Sequence, residues 1–578
     1  MLLNEAIKNV LMKFTFILLF SCILGSSILA QKPTDKPNII WITCEDISPY
    51  MGVFGDKVIN TPNIDALAKD GVKYTSVYTV AGVCSPSRSG IITGMYPTSI
   101  GTQHMRTEAV DAKFRGEGVP NYSAVLPEYV RAFPEYLRKE GYYTSNNQKE
   151  DYQFHTPVTV WDESSPAADY KNRKEGQPFF SIYNFFITHE SQVMKYADTL
   201  TVKPQDVKIP EYYENTPTTK KDIANLFTRI ETMDKQVGEL IRRLKQEGLY
   251  ENTYIFFFSD HGGNLPWMKR EILERGTHIP FIVKFPQKKN AGTEVKELIS
   301  SIDFAPSVLS LAGIQPPQYF QGQAFLGKYA TDKARKYVFA GRDRMDEKYD
   351  RVRAVRDHRF RYIYNYMPDQ PKYQDLAYRK DIPMMKEILE RRDKNEIKNP
   401  YLLDWFKATK PVEELYDVQN DPDEVHNLAG NKKYADKLKE LRTAFRNWEK
   451  EVGDMSSIPE KEMVIDRWWN GKDKAPSTAV PVVVKKDNGV IIECETKGAS
   501  IGYRILKPEE KDQKVKRTIH TWDMGIYFGF VKNGNTIEVS PSWNIYTGKI
   551  IRLKKGEKLI VNAMRIGYGP SQTEYTQL

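Results

Sequence analysis

Cysteine is scarce in this chain: four in 578 residues, at Cys22, Cys44, Cys84 and Cys494. An exported protein of this size that relied on disulfides would carry more, so a disulfide scaffold is excluded. Beyond the N-terminal segment at most one bridge among Cys44, Cys84 and Cys494 is possible, and none is expected. Long apolar runs are missing after residue 30, which excludes helical membrane spans from the body of the chain. Internal repeats and low-complexity tracts are missing too, so a repeat architecture is not indicated. What is present is the composition of a folded soluble protein, with 40% hydrophobic and 28% charged residues. The length predicts two or more domains, because a single core does not grow so large.

The N-terminus departs from this pattern. In "KFTFILLFSCILGSSILAQ" a basic residue, Lys13, precedes a short apolar run that ends in small residues at Ala30. This predicts a signal peptide over residues 1–30, with Met12 as an alternative start, and hence a periplasmic or secreted protein. A lipoprotein anchored at Cys22 fits less well, since the apolar run continues past it and Phe20 suits a lipobox poorly. The net charge of +9 favours an acidic partner. Export makes a sulfated or carboxylated polysaccharide a better candidate than nucleic acid.

After the leader, strands and helices alternate. "NIIWIT" reads as a buried strand, and "TPNIDALAKDG" as a helix opened by Pro62 and closed at Gly71. "LPEYVRAFPEYLRKEGYYT" reads as a helix and turn, "PFFSIYNFF" as a strand, Asp222 to Glu247 as a long helix, and "NTYIFFFSDHGG" and "IPFIVKFP" as further strands. Near-continuous apolar strands between helices predict an α/β fold, a mostly parallel sheet with helices on both faces. Ligands of such sheets bind at the carboxyl ends of the strands. The pattern divides the chain into an α/β domain at 36–332, a smaller α+β subdomain at 333–474 and an all-β appendage at 475–578.

Chemistry concentrates at three points. Glu45 and Asp46 follow the first strand, Asp260 and His261 follow a later one, and Cys84 stands before a predicted helix in "VCSPSRSGIITG". Taken singly, each acidic pair reads as a helix cap or turn. If the two strands are parallel neighbours, the pairs and Cys84 converge on a site for a hard cation, Ca²⁺ or Mg²⁺, with oxygen ligands and one imidazole.

These segments resemble the type I formylglycine-dependent sulfatases of the alkaline-phosphatase superfamily. "CSPSRSGIITG" matches that family's Cys-x-Pro-x-Arg signature, and the likeness runs from about Lys36 to Arg446 through "KPNIIWITCEDISPYMGVFGD", "FFFSDHGG", "SSIDFAPSVLSLAGI" and "ELYDVQNDPDEVHNLAG". The resemblance implies an alkaline-phosphatase-like fold and conversion of Cys84 to formylglycine (3-oxoalanine) by a maturing enzyme. It implies that one hydroxyl of the hydrated aldehyde, activated by the metal, attacks sulfur. Deprotonation of the other hydroxyl then expels sulfate. It further implies Glu45, Asp46, Asp260 and His261, with Cys84 as formylglycine, as the Ca²⁺ (or Mg²⁺) shell. Arg88 matches the arginine that holds the formylglycine, Lys149 and Lys269 match sulfate-binding lysines, and His189 matches the histidine that protonates the leaving oxygen. Two departures stand out: Glu45 replaces the usual aspartate, and Asp151 replaces the histidine of the usual Lys-Trp-His triplet. His104, His155 or Asp151 itself could take over that histidine's role.

Candidate residues for holding the leaving group are His104 and Arg106 in "GTQHMRT", His278 before "IPFIVKFP", and Asp343 and Arg344, with Arg342, on a predicted loop in "GRDRMDEKYD". The last hundred residues are similar to the small C-terminal β domain of chitobiase-type glycosidases. Trp522, Tyr527, Trp543 and Tyr546 could form a sugar platform there, with core packing the alternative. The sequence thus predicts an exported sulfatase acting on a sulfated polysaccharide or its oligosaccharides, algal such as ulvan or a glycosaminoglycan. Its rivals are a phosphate or phosphonate monoester hydrolase of the same superfamily and a non-catalytic polyanion-binding relative.

Overall fold

A computed structural model describes residues 36–109, 111–520, 524–526 and 529–576. The predicted signal peptide with Cys22, and Trp522 and Tyr527, lie outside the described residues. No helix among those described is long and apolar enough to cross a membrane.

An eight-stranded sheet is built around β1 (Asn38–Cys44). β1 runs parallel to both its neighbours, β6 (Phe179–Phe185) and β7 (Thr253–Ser259). Outside β6 lie β4 (Tyr143–Asn147) and the two-residue β5 (Glu163–Ser164), again parallel. Outside β7 lie β8 (Phe281–Lys284), β2 (Val72–Tyr74) and β9 (Thr293–Val295), with β8 antiparallel to the rest. A separate ladder joins β3 (Val77–Tyr78) to β10 (Ile299–Ser300).

The apolar run of β1 is continuous because both faces are covered. Ile40, Ile42 and Cys44 enter one core, whereas Ile39 and Trp41 enter the other, as the two-residue strand period requires. The first core is roofed by a long helix, Pro217–Gln246, in which Leu226, Ile230, Met233, Val237, Leu240 and Leu244 form one buried stripe. The Thr216 hydroxyl accepts from Thr219 N to cap that helix. In the second core Trp41 meets the edges of Phe180 and Phe258 at 5.1 and 5.2 Å between centroids.

The smaller region contains a four-stranded antiparallel sheet in sequential order: β11 (Val338–Met345), β12 (Lys348–Arg356), β13 (Phe360–Asn365) and β14 (Glu413–Asp417). Arg342, Asp343 and Arg344 therefore lie in a strand, not on the predicted loop. "RVRAVRDHRFRYIYNY" is two strands folded at Asp357-His358-Arg359 rather than one. The helix predicted from "LPEYVRAFPEYLRKEG" shrinks to Pro134–Lys139, since proline is tolerated in a first helical turn and not inside a helix. The C-terminal residues form antiparallel strands, among them Ser500–Leu506 paired with Lys558–Met564 and Asn544–Ile545. Met463, Val464, Trp468, Trp469 and Ile566 share the core that holds Trp41, so the parts of the chain are interlocked.

Candidate active site

The site follows from register. Cys44 of β1 pairs with Ser259 of β7, so Glu45–Asp46 and Asp260–His261 leave the sheet side by side. Asp46 takes a left-handed conformation (φ 57°), one that aspartate tolerates better than most residues, and its N–H donates to Asp260 Oδ1 at 3.2 Å. A fully buried helix, Cys84–Thr93, starts at the same edge with Cys84 as its first residue. Two glycines permit this crowding. A Cβ at Gly82 would overlap the Glu271 carbonyl oxygen, and one at Gly90 would come 2.8 Å from Val80 Cγ2. Through Gly82, whose carbonyl accepts from Arg270 N at 2.6 Å, the segment carrying Lys269 closes on the Cys84 turn.

Cys84 Sγ lies 3.5 Å from His261 Nε2 and 4.0 Å from Asp46 Oδ1. His261 Nδ1 donates to the Gly262 carbonyl at 3.0 Å, which turns Nε2 toward Asp46 Oδ1 at 2.8 Å. Ligand atoms of Asp46, Cys84, Asp260 and His261 fall within 4.8 Å of one another, as do those of Glu45, Asp46 and His189. The donor set fits a hard divalent cation: carboxylate oxygens dominate, and Glu45 Oε1 is buried without a hydrogen-bond partner.

Cationic side chains ring the acids. Arg88 donates from Nε to Asp260 Oδ2 at 2.9 Å and from Nη1 to Asn184 Oδ1 at 2.8 Å, while Nη2 stands 3.9 Å from Glu45 Oε1. Lys149 reaches Glu45 Oε2 at 2.7 Å, and Lys269 reaches Asp46 Oδ2 at 2.5 Å. His189, stacked on Phe186 at 4.8 Å, points Nε2 at Glu45 Oε2 from 3.9 Å. Burial opposes every charge here, so each shift reports which partner wins. Desolvation dominates at Glu45 and raises its pKa, with Lys149 and Arg88 opposing. At Asp46 burial is overcome by Lys269 and His261, which hold it well below the usual range. Burial would lower His261, but Asp46 and Asp260 push it up to about 10. For His189 burial and Lys269 act together and lower it well below the ordinary imidazole value.

Asp151, in a left-handed conformation (φ 54°), accepts from the Ser85 hydroxyl at 2.5 Å and lies 3.6 Å from Lys149 Nζ. It lines a cavity of about 480 Å³ that reaches Glu45 and Ser85 and is walled also by Arg106, Lys149 and His155. Arg106 is fixed there by Asp346 at 2.5 Å and lies over the Tyr378 ring at 4.3 Å.

Four of the residues nominated for leaving-group contact are placed elsewhere. His104 is 1% exposed, and its Nδ1 faces Arg344 N at 3.3 Å. Arg344 is bound to Glu460 at 2.6 and 2.7 Å, and Asp343 to Arg353 at 3.1 Å, both fully inside the protein. His278 stacks on Tyr78 at 5.0 Å with Nε2 against the Thr75 carbonyl. Their polar atoms are engaged with internal partners, which residue type alone does not reveal. Conversely, Asn184, Glu190 and Ser85 were not foreseen. Glu190 donates its N–H to Asp46 Oδ2 at 2.7 Å and grips Arg270 with both carboxylate oxygens at 2.8 and 3.0 Å. Its position directly after His189 was the one available signal.

The sulfatase family profile matches residues 37–314, and that of the N-sulphoglucosamine sulphohydrolase C-terminal region matches residues 263–401. An "Ulvan-active sulfatase" of Formosa agariphila is 40% identical over 95% of this chain and 92% of its own length. Among solved structures, a 2-O GAG sulfatase superposes with a TM-score of 0.50 at 20% identity, over 72% of this chain and 93% of its own. The phosphonate monoester hydrolase of Agrobacterium radiobacter gives 0.54 at 16% identity, over 72% and 96%. These two likenesses show that the chain shares the fold of those two structures. The chain belongs to the sulfatase family, enzymes that hydrolyse sulfuric esters.

Proposed function

We propose that this chain is an exported sulfatase that removes sulfate from a sulfated polysaccharide or its oligosaccharides, with Cys84 the residue converted to formylglycine. The supporting observation is the position of Cys84 Sγ, 3.5 Å from His261 Nε2 and 4.0 Å from Asp46 Oδ1, inside a ring of buried cations beside an open cavity. A thiol placed for packing alone calls for neither the acids nor the cations.

In this reading Glu45, Asp46, Asp260 and His261 hold Ca²⁺, with Mg²⁺ the alternative. Such an ion, when bound, supplies a Lewis acid and lowers the pKa of an attached hydroxyl. Lys149 lines the cavity, and Arg88 and Lys269 stand on Asp260 and Asp46, so that charge developing on sulfate oxygens at the cluster meets preorganised positive groups. His189, whose pKa burial and Lys269 lower, stands 3.9 Å from Glu45 and is the imidazole that the resemblance implies for the leaving oxygen. Ser85 and Lys149 fix the Asp151 carboxylate next to position 84, where the resemblance implies a histidine.

The name of the Formosa agariphila relative favours an ulvan fragment as substrate. The leader at 1–30 supports export, and the cysteine signature supports a formylglycine-generating partner enzyme. We assign the catalytic α/β domain to 36–332, its α+β subdomain to 333–474 and the β appendage to 475–578. Mass spectrometry of the Cys84 peptide from active protein tests the reading, together with sulfate release from ulvan oligosaccharides. Full activity with an unmodified thiol overturns it. Aryl phosphate or phosphonate turned over orders of magnitude faster than aryl sulfate transfers the site to phosphoryl chemistry. Tight binding without turnover in modified protein makes the chain a binder.

A further inference from the structure

The net charge of the chain is unevenly placed. Residues 475–578 hold 16 lysines and arginines against 10 aspartates and glutamates, a net of +6, whereas residues 37–474 are almost balanced at 64 against 63. Most of the +9 therefore belongs to the β appendage. Within it the excess gathers in two segments, the turn that begins Lys485-Lys486 and the stretch from Lys549 to Lys555, which includes Arg552 and Lys554. We propose that this basic face, none of which lines the catalytic cavity, binds a sulfated polysaccharide chain and tethers the enzyme to the polymer whose esters it cleaves. The proposal rests on the sulfatase reading above and adds to it a second surface that holds the polymer.

Backbone pairing joins the two segments. Lys485 and Lys486 stand opposite Val490 and Gly489 in a hairpin, and Val490 exchanges two backbone hydrogen bonds of 2.8 Å with Ile551. Neighbouring strands lie about 4.8 Å apart, so the backbones of Lys486 and Arg552, on either side of Gly489-Val490, are about 10 Å from each other. Gly489 takes a φ of 142°, and a Cβ there would fall 2.2 Å from the Ile551 carbonyl oxygen. Only glycine lets the segments close this far. The charges they bring together are unanswered. Lys485, Lys486, Lys549, Arg552, Lys554 and Lys555 are all exposed, and none has an ion pair among the described residues. By contrast, Arg504 pairs with Asp512 at 2.7 Å, Arg517 with Glu163 at 3.3 Å and Lys558 with Glu574 at 3.2 Å. The acids within the two segments and their turns are Asp487 and Glu557, and Glu557 Oε2 accepts from Lys554 N at 2.8 Å. Like charges gathered in this way repel, and a bound polyanion replaces that repulsion with attraction.

Lysines at a sheet edge also deter strand addition, but Lys554 and Lys555 stand outside any strand. Aromatic stacking does not supply the binding either. Arg504 covers the Trp543 ring at 4.2 Å, and Tyr546 packs on the core of the appendage, edge-on to Tyr503 at 6.4 Å, with its hydroxyl accepting from Ile492 N at 3.1 Å. Neither forms the sugar platform that the sequence suggested. Recognition on this face is by charge, which suits a repeating sulfate rather than the shape of one sugar. The appendage is fixed to the catalytic part of the chain. Ser500 donates to the buried Glu135 Oε2 at 2.9 Å, and a Cβ at Gly567 would lie 2.4 Å from Val125 Cα. A polymer held on the appendage therefore stays with the catalytic domain and meets it at a raised effective concentration.

The test compares wild type with a variant carrying Lys485→Gln, Lys486→Gln, Lys549→Gln, Lys554→Gln and Lys555→Gln together, both as full-length mature protein. Biolayer interferometry against immobilised dextran sulfate and unmodified dextran, in about 50 mM and about 500 mM NaCl, reads the face directly. At low salt wild type is expected to bind dextran sulfate about ten-fold more tightly than the variant, to lose that advantage at high salt, and to ignore dextran. With polymeric ulvan as substrate, KM is expected to rise about ten-fold in the variant, while kcat/KM on an aryl sulfate stays unchanged. Equal affinity of the two proteins for dextran sulfate, or an unchanged KM for the polymer in active protein, overturns the proposal. Loss of binding to phosphatidylglycerol vesicles with dextran sulfate binding intact assigns the face to a membrane surface and overturns it as well. Sulfate release is read separately: dextran sulfate binding that depends on these lysines, in a protein that releases no sulfate, supports the face and overturns the sulfatase reading alone.

Discussion

The Ser85 hydroxyl donates to Asp151 Oδ1 at 2.5 Å, tying a carboxylate to the residue that follows Cys84. The second oxygen, Oδ2, has no hydrogen-bond partner among the described residues and lies 3.6 Å from Lys149 Nζ. The carboxylate is thus oriented by one oxygen and available through the other, beside the cavity.

Asp151→Asn keeps the shape and the Ser85 contact and removes the proton acceptor. It is expected to lower kcat on an aryl sulfate about 10²-fold with KM little changed. Asp151→His, which returns the imidazole that the family resemblance implies, is expected to retain more activity than Asn. Steady-state kinetics of both variants check this, and an unaltered kcat in Asp151→Asn removes Asp151 from proton transfer.

The two lysines are expected to separate. Lys149 reaches into the cavity wall, so Lys149→Ala should cost about 10² to 10³ in kcat/KM, with a smaller loss of Tm because Glu45, whose pKa burial raises, can take up a proton in place of the ammonium. Lys269 is 3% exposed and sits on Asp46, so Lys269→Ala takes one of two cations from a fully buried carboxylate and leaves it His261 alone. That loss is expected to destabilise the fold by about 3 to 5 kcal/mol. Thermal unfolding and kinetics on the same preparations give the comparison.

Glu45, Asp46 and Asp260 place three carboxylates in one buried cluster. A chelator is therefore expected to lower both activity and Tm, and added Ca²⁺ to restore them. At a hundred-fold excess over Kd the ion would contribute about 2.7 kcal/mol of stability. Asp260→Asn is expected to blunt that response. Indifference of Tm and turnover to chelator would rule out a hard-cation site.

A pH effect is expected far from the site. Asp222, inside the helix Pro217–Gln246, accepts from Tyr196 OH at 2.8 Å and from Met384 N at 2.7 Å. Burial, the largest influence, raises its pKa to about 6, with Glu387 adding to the rise and Lys221 opposing it. Because the folded value exceeds the unfolded one, the contribution of this group is fully present below about pH 4 and is lost as pH rises through about 6. Asp222→Asn should accordingly exceed wild type by about 2 kcal/mol above pH 7 and converge with it in acid. Tm measured against pH for the two proteins decides the point.

Local pattern was enough for the site's centre. If the apolar runs "NIIWITC" and "TYIFFFS" are parallel neighbours their polar ends meet at one edge, and the register of β1 on β7 does bring Glu45, Asp46, Asp260 and His261 together. Cys84 and Arg88 were legible from their signature. Asp343 and Arg344 were expected on a loop because an exposed charged loop and a buried ion-paired strand have the same residues, and only the pairing to Arg353 or Glu460 distinguishes them.

The sequence by itself determined the sheet, the family and the residue types of the cluster, since these depend on short-range periodicity and on composition at the strand ends. The tertiary structure decided which carboxylate stands beside position 84, that Arg106 and not Arg88 lines the cavity, and that a strand more than three hundred residues away along the chain, with Gly502 against Val158, packs on this part of the fold. Those relationships are set by how separate segments close on one another through Gly82 and Gly502, and no local pattern encodes that distance.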